Sequence, residues 1–228
     1  MQTITNNNPE TLKKQFNNYI LDCFNSLQNR DRIVIWLSGW SSLNIYYAEF
    51  ANIFENIDSS LRDKIYFCFL DERVVDFDSI DSNYKLVKEL FLAELISKWY
   101  VKQTQILLPN FNLNDYETDY FNQVKHIDIW LFWVWPDCHT CSLFPNHALL
   151  RDTTFWYLKI SDSPKPPSDR ITISVNMLYD IDFASAFFMW EGKIEAYNKF
   201  MDESVSSDDC PIKLVKNCEN LIIFSDLT

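Results

Sequence analysis

Apolar residues recur along this chain at two periods. Between positions 12 and 27 they fall at helical spacing: Leu12, Phe16, Tyr19, Ile20, Cys23 and Leu27. Just ahead, Asn8 is a capping residue, Pro9 suits a first helical position and Glu10 favours the positive helix end, so a helix is predicted to begin there. Short, predominantly apolar runs follow at 33–37, 65–70, 105–108 and 127–134, and these read as buried strands. Between them lie amphipathic segments: one with Tyr46, Phe50 and Ile53 on a single face, one at 83–97 and one near 115–125. Further strands are predicted near 155–160, 171–175, 184–189 and 221–224, with a helix at 191–201. Strands apolar on both faces and separated by helices imply an α/β protein with a largely parallel sheet. No repeat or long linker interrupts the pattern, so residues 1–228 read as one domain.

Charge narrows the class. With 20 basic against 32 acidic residues the net charge is −12, and the Lys and Arg residues do not cluster. That argues against a nucleic-acid partner or an anionic membrane surface, because phosphate-rich partners need a positive field. A phosphate ligand would have to be small and held by a few placed cations. No run of about 18 uncharged apolar residues is present, so no transmembrane helix is predicted. The polar start, MQTITNNNPETLKK, predicts no secretory signal. Cys23, Cys68, Cys138, Cys141, Cys210 and Cys218 are scattered through mostly apolar runs and read as reduced thiols of a cytoplasmic protein. One ratio is abnormal. Ordinary usage of about 7% predicts roughly 16 glycines; the chain has 2, and it has 8 tryptophans.

Ligands of parallel α/β sheets bind beyond the carboxyl ends of the strands, where several polar residues of this chain are predicted to converge. In WLSGWSS (36–42) a strand passes through a Ser-Gly turn into a helix. Such a turn either holds an anion on its backbone N–H groups and hydroxyls or simply joins the two elements. In FLDERV (69–74) the triplet Asp71-Glu72-Arg73 ends a strand, as an internal ion pair or as part of a site. In WVWPDCHTCSLFPNH (133–147), His139 follows the most apolar strand with Asp137 two residues before it, and a neutral imidazole there could accept a proton from water near pH 7. Cys138, His139, Cys141 and His147 invite a zinc reading, but no second closely spaced cysteine pair completes a structural site. Arg170 follows a proline-stiffened loop. Lys193 lies in the first turn of a helix, a poor place for a cation unless it faces an anion.

Taken together, LSGWS, FLDERVV with DSNY (81–84), PDCHTCSLFPNH, SDSPKPPSDRITIS and WEGK resemble the 6-phosphogluconolactonases in order and spacing, over about residues 30–225. The related glucosamine-6-phosphate deaminases, which share the fold, differ after the histidine and in the DER triplet. The resemblance implies a mostly parallel, Rossmann-like sheet flanked by helices and the hydrolysis of 6-phosphoglucono-δ-lactone to 6-phosphogluconate, with no metal and no cofactor. It implies that His139 activates water and that Asp71 and Arg73 orient the substrate and the catalytic groups. Ser38, Gly39 and Ser41 would form a phosphate turn, with Arg170 and Lys193 supplying charge. Against the family pattern, glycine is expected where this chain has Trp36, Trp40, Trp133, Trp135, Trp190 and Cys138. Either the pocket is blocked in a non-catalytic homologue, or UGA codons that mean glycine are read as tryptophan. A deaminase or isomerase of the same fold is the remaining alternative.

Overall fold

The computed structural model describes residues 1–39, 44–113, 128–179 and 181–227. Among them nine strands form: β1 (Gln2–Thr5), β2 (Ile33–Leu37), β3 (Ile65–Phe69), β4 (Asp71–Arg73), β5 (Ile129–Trp133), β6 (Tyr157–Ile160), β7 (Arg170–Ile173), β8 (Phe183–Phe188) and β9 (Asn220–Ser225). Six of them make a sheet of order β1-β9-β8-β5-β2-β3 in which every neighbour is parallel. This is the α/β architecture expected from the apolar runs.

Successive side chains of a strand face opposite sides, and both sides are covered. Ile33, Ile35 and Leu37 join a core with Phe16, Ile20 and Phe24 of α1 (Pro9–Leu27). After α2 (Asn44–Tyr47), α3 (Glu49–Asn56) adds Phe50 and Phe54 to that core. Val34 and Trp36 point the other way, into a core shared with Tyr157, Ile171 and Ile173. Fully burying each such side chain contributes about 1.5–3 kcal/mol. α1 begins as expected: the Asn8 side chain accepts from the N–H groups of Glu10 and Thr11, and Pro9 opens the first turn.

Several expectations are corrected. The segments near 155–160 and 171–175 do not extend the parallel sheet; β6 and β7 join β4 in a separate antiparallel sheet of order β4-β7-β6. Leu70 is where the two sheets meet. Its N–H donates to the Leu37 carbonyl at 2.9 Å and its own carbonyl accepts from Ile173 at 3.0 Å, so one extended run serves both sheets. The run at 105–108 forms no strand beyond a single bridge of Ile106 to Phe67. There the buried Gln105 side chain donates to the carbonyls of Arg62 and Ile65 and accepts from the Lys102 N–H, and Pro109 lacks a donor for pairing. β1 was not expected, because a polar edge strand carries no apolar signal.

The helix carrying Tyr46, Phe50 and Ile53 divides at Ala48, and α4 (Ser59–Arg62) follows it. Residues 83–97 run as α5 (Asn83–Val87), a π turn and α6 (Ala93–Ser97). The segment 191–201 starts as a 3-10 turn and continues as α7 (Ile194–Met201). The helix expected near 115–125 lies outside the described residues.

Candidate active site

Because the large sheet is parallel, the segments leaving β2, β5 and β8 emerge at one edge, and the candidate residues gather there. After β5 the chain makes a tight turn: the Cys138 N–H donates to the Trp135 carbonyl at 2.9 Å and the Trp135 N–H to the His139 carbonyl at 3.2 Å. The turn puts Cys138 at φ 68°, in the left-handed region. His139 is buried, its ring stacked on Trp135 with centroids 4.9 Å apart and against Phe144 at 4.5 Å. Asp137 Oδ1 lies 2.6 Å from Nδ1, which makes that nitrogen the donor and leaves Nε2 as the basic one. Burial pushes the imidazole down to about 4, outweighing the opposite pull of Asp137, so His139 is neutral at pH 7. Lys165 Nζ sits 2.8 Å from the other oxygen of Asp137. Burial alone would raise the Asp137 carboxyl, but His139 and Lys165 together hold it well below the usual carboxylate range.

The small sheet supplies a second network. Asp71, buried, accepts from Ser142 Oγ at 2.7 Å and from Asn83 Nδ2 at 3.1 Å. Arg170 donates to Ser142 Oγ at 3.3 Å and to the carbonyls of Lys165, Pro166 and Pro167. Arg170, expected as a phosphate cation, is buried and ties the proline loop, and with it Lys165, to the Asp71 network. Arg73 donates to the Asp81 carbonyl at 2.7 Å, and no hydrogen bond or ion pair joins it to Asp71 or His139. The middle residue of the triplet carries more. Glu72 accepts from the N–H groups of Arg73, Asn83 and Tyr84, each at 2.7 Å, and from Ser82 Oγ, fastening the first turn of α5 to β4.

On the phosphate side, the Ser38 carbonyl accepts from the Tyr47 hydroxyl at 2.5 Å. Gly39 lies so close to Asn83 that a Cβ would overlap its side chain. Ser41 and Trp40 lie outside the described residues. Lys193 is buried, with its ammonium 5.0 Å from the centre of the Trp133 ring and 5.5 Å from that of Trp135, and burial lowers it to about 8. No carboxylate pairs with it among the described residues. His147 is turned to Asp162 at 3.1 Å, and among the described residues no group of three His, Cys, Asp or Glu side chains is placed to hold a metal.

The structure thus brings His139, Asp71 and Lys193 to one edge, with Arg170 donating to Ser142 and to carbonyls of the proline loop and Arg73 to the Asp81 carbonyl. Asp137, seen in the sequence only as a neighbour of His139, is its hydrogen-bond partner. Lys165, Ser142, Asn83 and Glu72 were missed, although SPKPP, SLFP, DSNY and DER all drew attention to their segments.

The family model described as glucosamine-6-phosphate isomerases/6-phosphogluconolactonase matches residues 7–223. The chain belongs to this family. A 6-phosphogluconolactonase of Rattus norvegicus is 30% identical over 192 residues, covering 78% of this chain and 72% of the relative. A probable chloroplastic 6-phosphogluconolactonase 4 of Oryza sativa subsp. indica is 33% identical over 178 residues, covering 69% of this chain and 54% of the relative. The chain therefore spans about half the length of the rice relatives it matches. In fold it is similar to the 6-phosphogluconolactonase of Leishmania guyanensis, with TM-score 0.80, 18% identity and coverage of 98% of this chain and 95% of that one. The 6-phosphogluconolactonase family member from Shewanella baltica OS155 gives TM-score 0.78 at 21% identity, covering 98% and 96%. Among the described residues no helix is long and apolar enough to cross a membrane.

Proposed function

We propose that this chain, acting as one cytoplasmic domain, hydrolyses 6-phosphoglucono-δ-lactone to 6-phosphogluconate. The observation that carries the reading is the Asp137–His139 pair at the carboxyl edge of the sheet: a neutral imidazole whose Nδ1 is held by a carboxylate. Nε2 takes a proton from water as its oxygen attacks the lactone carbonyl. The resulting tetrahedral intermediate expels the ring oxygen, which recovers that proton from the imidazolium. Asp137 stabilises the imidazolium between the two steps, and Lys165 keeps Asp137 ionised and in place. Lys193, a buried cation with no carboxylate partner among the described residues, faces the phosphate, with Ser38 and Gly39 in the turn after β2 as its second contact; Ser41 is assigned to that turn from the family resemblance. Asp71, through Ser142, sets the segment after His139, and Arg73 closes the rim of the small sheet. No step calls for a metal or an organic cofactor.

The relatives named as 6-phosphogluconolactonases support the substrate, and the SLFP segment after the histidine supports a lactonase over a deaminase of the same fold. The test is lactone hydrolysis measured above spontaneous opening. His139→Ala should lower kcat/KM by about 10²–10⁴ while the melting transition remains cooperative. An alanine variant as fast as the parent would sink the assignment.

A further inference from the structure

Neither glycine of the chain has a left-handed backbone: Gly39 and Gly192 both lie outside that region. Among the described residues that region falls on Trp99, Cys138, Cys141, Asn146 and Trp190. Of these, only asparagine enters it readily; an indole-bearing residue carries a Cβ that crowds its own carbonyl there.

Trp99 follows the last turn of α6 at φ 60°. Its N–H donates to the Ile96 carbonyl at 3.0 Å, and the Tyr100 N–H donates to the Leu95 carbonyl at 2.9 Å. Those two bonds define the helix ending whose left-handed position is ordinarily glycine. Its indole is 91% exposed, so the side chain gives the fold nothing in return. Trp190 has φ 69° and ψ 149°, a conformation open essentially to glycine alone. It is pinned from both sides, its N–H by Asp226 at 2.7 Å and its carbonyl by the Lys193 N–H at 2.9 Å. Trp135 shows the same problem in space. Its indole lies on the His139 ring, with Lys165 Nζ 4.4 Å and Lys193 Nζ 5.5 Å from its centre. It fills the volume between a base and two cations, where an anionic substrate must sit.

We infer that positions 99, 135 and 190 are glycine positions, and that the natural polypeptide carries glycine at all three. UGA codons, which specify tryptophan in one genetic code and glycine in another, account for the indoles. A chain with 2 glycines and 8 tryptophans has the composition such a reading produces. Without the indole at 135 a pocket opens between His139, Lys165 and Lys193 that takes a phosphorylated sugar. That step rests on the function proposed above, whereas positions 99 and 190 rest on backbone geometry alone.

The test compares the chain with Trp99→Gly, Trp190→Gly and, as a control, Trp156→Gly, whose indole is buried and whose φ is not left-handed. The melting midpoint should rise by about 2–4 °C for each of the first two and fall for the third; a fall at either 99 or 190 overturns the inference. Trp135→Gly should move the His139 titration, followed by NMR, upward from about 4, and should tighten 6-phosphogluconate binding at least ~10-fold as the pocket opens. A titration that does not move overturns the inference whatever the activity. A titration that moves with no gain in binding or hydrolysis overturns the lactonase reading and leaves the glycine positions standing. Peptide sequencing by mass spectrometry of the protein made in its own cells should read glycine at 99, 135 and 190, and tryptophan at any of them overturns the inference.

Discussion

The six-stranded and three-stranded sheets are held by different physics, and the site lies at their seam. The large sheet is buried on both faces by apolar side chains, so its stability is spread over many contacts of similar size. The small sheet lays Tyr157, Ile171 and Ile173 on the same core, but its loops and its neighbouring helix are fastened by a few polar atoms: Glu72 accepting four hydrogen bonds, Asp71 bridging Ser142 and Asn83, and Arg170 holding three carbonyls of the proline loop. Losing one methylene in the first region is diluted. Losing one carboxylate in the second strands several buried donors at once.

That contrast sets the largest expected effect. Glu72→Ala leaves the Asn83 and Tyr84 N–H groups and the Ser82 hydroxyl without their acceptor in a buried place. It should cost about 3–5 kcal/mol of unfolding free energy, measured by urea denaturation. In the large sheet, Ile35→Val removes one methyl from a fully buried position and should cost only about 0.5–1.5 kcal/mol. Comparable losses from the two variants would erase the distinction between the regions.

Acid should act mainly at the seam. His139 titrates near 4 when folded, against 6.5 for the free side chain, because burial disfavours its charge. Between those values the unfolded chain binds more protons, so stability falls as pH drops through 6.5 and the loss is complete near 4. A shift of that size is worth roughly 3 kcal/mol. Asp137, held below the usual range by His139 and Lys165, adds a loss of the same sign at still lower pH. Unfolding midpoints at pH 7 and 4.5 should differ clearly in the parent and much less in His139→Gln. An equal slope in both would place the acid sensitivity elsewhere.

The same contrast explains what could be read in advance. α1, β2, β3, β5 and β8 announce themselves because burial writes a period into the sequence and Asn8-Pro9 marks a start. The small sheet does not, because periodicity marks a strand without naming its partner, and the passage from one sheet to the other turns on the backbone of Leu70 alone. In the site, His139 and Lys193 were legible from their places after strands. The carbonyl contacts of Arg170 were not legible, because a cation at the end of a loop has the same sequence whether or not three carbonyls lie within its reach. Lys165 was missed because its partner Asp137 belongs to a different loop, and only the fold brings the two within 2.8 Å.

A smaller effect probes the link between the regions. Gly39 lies two residues past the end of β2 in the large sheet, while Asn83 belongs to the helix fastened to β4 in the small one. A Cβ at 39 would press on the Asn83 side chain, whose amide donates to both the carbonyl and the carboxylate of Asp71. Gly39→Ala should therefore cost about 1–3 kcal/mol through overpacking. The accompanying drop in lactone turnover should exceed anything the stability loss explains, because Asp71, Ser142 and the segment after His139 move together. Normal turnover in Gly39→Ala would show that the two sheets touch here without Asn83 coupling them.

The smallest effect belongs to the far end of the large sheet's apolar face. Asn8 accepts from Glu10 and Thr11 at the start of α1, whose buried face packs Phe16 against Tyr46, Phe187 and Phe224. Asn8→Ala removes the cap but no core contact, so about 1 kcal/mol should be lost. The freed N–H groups are at an exposed helix end where water replaces the asparagine oxygen, which keeps the cost well below that of Glu72→Ala. Nothing in this segment touches the Asp71 network, so kcat, KM and the His139 titration should equal those of the parent. A change in any of the three would mean that the large sheet transmits local loosening to its carboxyl edge, and that the two regions are less independent than their bonding implies.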